Sequence, residues 1–141
     1  MKKYIIDANA LVSFVTDRNL NQQKKIAHIF ENAASLKAVV LCPQNVLTEF
    51  VYVMDEVYCL PKREINRMIN DFLLTPGLEV VHDINLIFLL KLWPENFSDY
   101  GDAIVASIGK ELKGAMIATF DKSFRAALKK SGISVLPLSK V

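Results

Sequence analysis

The chain has 141 residues, 52% of them hydrophobic and 23% charged, with a net charge of +2. So much apolar surface against so little charge excludes a disordered chain, and the length fits a single domain over residues 1–141 with a sizeable core. No stretch approaches the roughly 18 uninterrupted apolar residues of a membrane span. The basic start Met1-Lys2-Lys3 leads into an apolar run that Asp7 and Asn9 cut short, unlike a signal peptide, so the cytoplasm is the expected compartment.

Tyr4-Ile5-Ile6 reads as a short buried strand that ends at Asp7, and Asp7 or Asn9 caps a helix carrying Leu11, Phe14 and Val15. A helix over 22–34 sets Ile26, Ile29, Phe30 and Ala33 at three-four spacing. Ala38-Val39-Val40-Leu41 is the second strand, ended by Cys42-Pro43. Helices follow over 44–58 and, opened by Pro61 in its first turn, through Leu74, before the turn Thr75-Pro76-Gly77. Leu78-Glu79-Val80-Val81 is the third strand, followed by a helix over 85–92 and a break at Trp93-Pro94-Glu95-Asn96. Ser98 or Asp99 starts the next helix, which runs to about Leu112. Ala115-Met116-Ile117-Ala118 is the fourth strand, 123–130 a helix, and Ile133-Ser134-Val135-Leu136 a final strand. Strands alternating with helices predict parallel pairing in a three-layer α/β/α sandwich. The strands are continuous apolar runs, as a central, mostly parallel sheet covered on both faces requires.

Two cysteines, Cys42 and Cys59, are too few and too far apart for a disulfide framework or a thiolate zinc site, and read as buried thiols. The two histidines, His28 and His82, read as surface or half-buried residues, so a histidine-rich metal site is hard to build. Charge is unevenly spread. Residues 1–109 carry 10 Lys and Arg against 13 Asp and Glu, a net of −3, whereas residues 110–141 carry 7 against 2, a net of +5. This basic quarter, which includes Lys140, suits phosphate contacts and equally a solvated helix face.

The acidic residues say more. Sites in open α/β sheets form at the carboxyl ends of the strands. Asp7 directly follows the first strand, and Asp121 follows the fourth after Thr119 and Phe120. Glu49 falls on the apolar stripe Val46, Phe50, Val53 and Val57 of its helix, where an unpaired carboxylate costs several kcal/mol. Asp102 shares a face with Val105, Ala106 and Gly109, small residues that bring the helix close to the sheet. Asp99 lies one turn earlier and reads as a ligand, a supporting acceptor or the helix N-cap. Like charges gathered at one end of a sheet destabilise it unless a cation sits between them, and no Lys or Arg occupies those faces. Oxygen-only ligation without His or Cys points to Mg²⁺ or Mn²⁺. Such carboxylate sites handle phosphate esters, so the residues indicate metal-dependent phosphoryl chemistry.

The chain resembles PIN-domain nucleases, and most closely the compact VapC-type toxins of toxin–antitoxin pairs. The resemblance spans essentially the whole length. Its carriers are Tyr4-Ile5-Ile6-Asp7-Ala8-Asn9, Leu47-Thr48-Glu49-Phe50, Asp99-Tyr100-Gly101-Asp102-Ala103-Ile104-Val105-Ala106 and Thr119-Phe120-Asp121-Lys122-Ser123-Phe124. The resemblance implies that Asp7, Glu49, Asp102 and Asp121 form an acidic quartet holding Mg²⁺ or Mn²⁺ for RNA hydrolysis, leaving a 5′-phosphate and a 3′-hydroxyl. It implies that Asn9 and Thr119 support the pocket by hydrogen bonds, and that Asp99 matches an acid only some members carry. It also implies an antitoxin partner inserting an Arg or Lys into the acidic pocket. From charge placement, Lys122, Arg125, Lys129 and Lys130 are expected to hold the RNA backbone, and apolar residues around Val51 to Leu74 to form a homodimer or an antitoxin groove.

Two other enzyme classes fit poorly. A haloacid-dehalogenase-like phosphatase wants a second Asp where Asn9 stands, and a response-regulator receiver wants an acidic neighbour that Asp7 lacks. The alternative function is a PIN-like module that binds RNA or protein without significant nuclease activity.

Overall fold

A computed structural model describes residues 1–138. Four parallel strands, β1 (Lys2–Ile6), β2 (Ala38–Pro43), β3 (Leu78–Val81) and β4 (Ala115–Ala118), form one sheet in the order β3-β2-β1-β4. The helices are α1 (Ala8–Val15), α2 (Leu20–Ala34), α3 (Gln44–Glu56), α4 (Lys62–Leu73), α5 (Leu86–Leu92), α6 (Tyr100–Glu111) and α7 (Lys122–Lys130). The α/β architecture is the expected one. β1 sits centrally, with Tyr4 opposite both Val40 and Met116, and Ile5, Ile6, Val40 and Ile117 are wholly buried. That is why these strands carry apolar residues at successive positions rather than alternate ones.

Short polar side chains start most of the helices. Asp7, Asn19, Asn85, Asp99 and Asp121 each accept a backbone N–H from the first turn that follows, satisfying a donor with no partner inside the helix. α3 and α4 follow Pro43 and Pro61, and Pro61 occupies the cap itself rather than the first turn. The small face of α6 has the predicted use. A Cβ on Gly109 would lie 2.7 Å from Ile117 Cδ1, so only glycine lets the helix ride this close to β4.

Three expectations change. The final strand over Ile133–Leu136 reduces to a single bridge, with Ile117 N–H donating to Ser134 O at 3.0 Å and Leu136 N–H to Ile117 O at 2.9 Å. The ladder goes no further because Arg125 Nη1 donates to Thr119 O and Leu136 O, both at 3.0 Å, occupying the carbonyls that the next rungs need. Leu138 N–H turns back onto Leu136 O instead. Second, Cys42 is buried, its thiol pushed up to about 12 by that burial, but Cys59 is exposed. It stands in the connection between α3 and α4 at φ 54°, where the chain turns away from the core. Third, α3 ends at Glu56, and Val57 beyond it is 67% exposed rather than part of a core stripe. Lys140 lies outside the described residues, and among those that are described no helix is long and apolar enough to cross a membrane.

Candidate active site

Along the sheet the chain steps from β1 to β2 to β3, then crosses back to the far side of β1 to place β4. That return reverses the direction of strand addition at β1, and in parallel sheets such a switch point opens a crevice at the carboxyl ends of the two strands it separates, here β1 and β4. Asp7 leaves β1 into that crevice, and Thr119 and Asp121 follow β4 into it.

Asp7 is 6% exposed. Its Oδ1 accepts Ala10 N–H at 2.8 Å, which caps α1, and its Oδ2 accepts the Thr119 hydroxyl. Thr119 is fully buried, and its Oγ1 in turn accepts Asp121 N–H at 3.1 Å. One hydroxyl therefore ties together the ends of β1 and β4. Asp121 Oδ1 accepts Phe124 N–H at 3.1 Å and the Ser123 hydroxyl at 2.8 Å, capping α7. Asp99 Oδ1 accepts Asp102 N–H at 2.8 Å, which makes Asp99 the cap of α6. Asp102 is half-buried in the first turn of that helix.

Glu49 departs from its expected setting. The buried stripe of α3 is Val46, Leu47, Phe50 and Met54, and Glu49 is exposed beside it. It approaches the other acids from the flank of the helix rather than from within the core.

The carboxylates nevertheless act on one another. Burial raises the Asp7 carboxyl to about 6 against the hydrogen bonds from Thr119 and Ala10, with the charges of Glu49 and Asp121 adding to it. Asp102 rises to about 7, first by burial, then through Asp99, Asp7, Asp121 and Glu49. Glu49 is raised by partial desolvation and then by Asp99. Because water reaches most of Glu49, its shift is the weakest sign of crowding among the three. The ion pairs among the described residues, His28–Glu31 and Arg67–Glu64, involve none of these acids.

The donor set suits a hard divalent ion. All available ligands are oxygens, and Asn9 Oδ1, in the first turn after Asp7, is buried without a hydrogen-bond partner. That oxygen is an acceptor left open to a water or a cation. As the side chains stand, no three acids, histidines or cysteines among the described residues are grouped closely enough to chelate. Such a set fits a hard ion that keeps several waters and takes about one or two carboxylates directly.

The basic residues divide. Lys122, in the first turn of α7, lines a cavity of about 310 Å³ with Lys25, Asn21, Gln22 and Thr119, immediately beside the Asp7 partner. Lys129 and Lys130 are exposed at the other end of α7, about 10–12 Å along its axis. The Arg125 guanidinium is held by the two carbonyls described above. Arg125→Met should therefore lower stability by about 1–3 kcal/mol, the cost of leaving buried acceptors unpaired. Urea unfolding would show the loss, and a midpoint unchanged from the parent would sink this structural role. Lys25 escaped sequence reasoning because nothing local in α2 relates it to β4.

The PIN domain family profile matches residues 4–130. The chain belongs to the PIN-domain family. Among solved structures it is similar to PAE2754 from Pyrobaculum aerophilum, at 16% identity and TM-score 0.63, over 99% of this chain and 91% of that one. It is similar to the Mycobacterium tuberculosis toxin VapC20, described as cleaving the sarcin-ricin loop, at 14% identity and TM-score 0.64, over 94% and 98%. A third structure, the PIN domain endonuclease Utp24, aligns at 16% identity and TM-score 0.53, over 96% and 86%. No curated protein matches in sequence. At these identities the likeness establishes the PIN fold, and the chemistry rests on this chain's own residues.

Proposed function

We propose that this PIN-domain protein is a Mg²⁺- or Mn²⁺-dependent endoribonuclease, the toxin of a type II toxin–antitoxin pair. The observation that carries the reading is the set Asp7, Glu49, Asp102 and Asp121: the charges of Glu49 and Asp121 help raise Asp7, those of the other three help raise Asp102, and no Lys or Arg is paired to any of them among the described residues. A crowded acidic set of this kind is an unrecovered cost to the fold unless a cation is bound. Asp7 and Asp102 would ligate the ion, with Glu49 and Asp121 reaching it through water. Bound there, the ion would activate a water and neutralise charge on the phosphodiester.

The chain's own groups do the positioning. Thr119 fixes the Asp7 carboxylate by donating to Oδ2, and Ala10 N–H fixes the other oxygen. Asp99, by capping α6, holds the helix turn from which Asp102 projects. Lys122 and Lys25 would take the phosphates on the β4 side. The toxin assignment draws on the likeness to VapC20 along 98% of that chain. An antitoxin would offer an Arg or Lys to the acids, and the exposed Val51, Leu73 and Leu74 would lie under it or under a second copy of this chain.

Incubation with a mixed RNA pool in Mg²⁺ or Mn²⁺, and then in EDTA, tests the reading. Cleavage should need the metal and disappear in Asp102→Asn. If no metal supports cleavage and none raises the melting temperature, the nuclease reading fails and the RNA- or protein-binding module takes its place.

A further inference from the structure

Beside the acids, a cavity of about 530 Å³ opens between α3 and α6, lined by Asn45, Thr48, Tyr52, Tyr100, Gly101 and Ile104 together with the acids Glu49 and Asp99. None of the apolar or aromatic lining is needed to hold a metal. The tyrosines stand out because their rings face solvent, Tyr52 at 65% exposure and Tyr100 at 42%. The Tyr100 ring is nonetheless held in place. It packs edge-to-face on Trp93 with centroids 5.1 Å apart and planes at 84°, and Trp93 Nε1 donates to Ser98 O at 3.0 Å. An aromatic face that is both exposed and immobilised is a stacking platform that has already met its ordering cost.

The floor is fixed as well. Asn45 Nδ2 donates to Gly101 O at 3.3 Å and bridges α3 to α6. Gly101 leaves the floor bare, since a Cβ there would stand 3.2 Å from Asp99 Oδ1 and 3.7 Å from Asn45 Nδ2. No Lys or Arg lines the cavity, and its two carboxylates repel a phosphate, so it does not suit the nucleic-acid backbone. A flat, neutral π-system suits it. Asp99 spends Oδ1 on Asp102 N–H and keeps its second oxygen for another donor, and the Thr48 hydroxyl lies on the same wall.

We propose that this cavity between α3 and α6 is a subsite for one unpaired nucleobase next to the scissile phosphate. Tyr52 and Tyr100 supply its stacking faces, and Asp99 and Thr48 favour a base that carries an exocyclic amino group, namely cytosine, adenine or guanine, over uracil. The assignment deepens the nuclease reading and rests on it for the position of the cut. Carboxylate oxygens accept from such amino groups, whereas uracil presents carbonyls there.

Short oligoribonucleotides carrying 2-aminopurine at each position in turn would be titrated into the Asp102→Asn protein, so that binding is read whether or not the parent hydrolyses RNA. Fluorescence should be strongly quenched at one position. Tyr52→Ala or Tyr100→Ala should weaken binding by about 5- to 100-fold, the usual worth of one base on an aromatic ring. Tyr100→Phe, which keeps the Trp93 contact, should bind like the Asp102→Asn parent. Mapping the cuts made by the unmodified chain should find an amino-bearing base at one flanking position. A quenched position in a protein that cuts no RNA supports the subsite and strikes the nuclease reading alone. Cleavage indifferent to the tyrosines and to the flanking base overturns the subsite alone. Alanine variants that bind RNA normally but lose an arginine-bearing peptide overturn it in favour of a protein contact.

Discussion

Asp7→Asn should make the metal-free protein more stable at pH 8 while lowering RNA cleavage by more than about 100-fold, since changes to groups around a metal ligand alone typically cost 10- to 100-fold. The two effects have opposite signs for one reason. Asparagine keeps the local structure of Asp7: its Oδ1 still accepts Ala10 N–H, and Asn is as good an N-cap as Asp. Its amide can meet the Thr119 hydroxyl, which has a lone pair to offer once it rotates. What disappears is a charge buried at 6% exposure beside Glu49 and Asp121. With the carboxyl raised from 3.8 to about 6, relief of that charge is worth up to about 3 kcal/mol at pH 8, at 1.36 kcal/mol per unit. The gain should largely fade by pH 4, where the folded carboxyl is protonated and the unfolded one, near its pKa of 3.8, is about half so. Paired thermal melts in EDTA at pH 8 and pH 4 would measure it. A purely structural Asp7, valued only as a cap, predicts a variant no more stable than the parent at either pH, and that result would remove the argument for a cation.

Much of this was legible in the sequence, and the parts that were not have identifiable causes. Element order follows from apolar runs ended by short polar caps, and both signals are local, so Asp7, Asp99 and Asp121 could be found at the starts of helices before any tertiary contact was known. Gly109 announced the close approach of α6 in the same way. Glu49 lies on the flank of α3 rather than on its buried stripe. A stripe drawn through Val46, Phe50, Val53 and Val57 passes over it, but the buried face runs through Leu47 and Met54, so Glu49 lies at the margin. A rotation of the stripe by one residue, about 100° of helix, cannot be resolved when apolar residues occupy both sides. The final strand failed for a tertiary reason, because its apolar pattern is sound and a guanidinium six residues past Thr119 takes the carbonyls it needs. Tyr52, Tyr100 and Lys25 carry no local mark at all. Tyr52 becomes notable only when α3 meets α6, and Lys25 only when α2 meets the end of β4.

In EDTA, stability should fall as pH rises from about 4 to 7 and then level off, and Mg²⁺ should reverse much of that fall. The sign follows from the raised carboxyls. Asp7 near 6 and Asp102 near 7 hold protons in the folded chain that the unfolded chain, with both near 3.8, has already released. Between those values the native state binds more protons, so its advantage is complete below the unfolded pKa and is lost as pH climbs through the folded ones. Only ionised carboxylates ligate Mg²⁺, so binding at pH 5 must first expel protons from Asp7 and Asp102, whereas at pH 8 it meets charges already in place. At a concentration about 100 times its Kd, Mg²⁺ should add roughly 2.7 kcal/mol at pH 8 and a small fraction of that at pH 5. Differential scanning calorimetry at matched ionic strength, with Mg²⁺ and then with Na⁺ and EDTA, separates specific ligation from screening. A Mg²⁺ increment equal at pH 5 and pH 8 would mean that the ion binds away from these acids, and with it the assignment of Asp7 and Asp102 as ligands would fall.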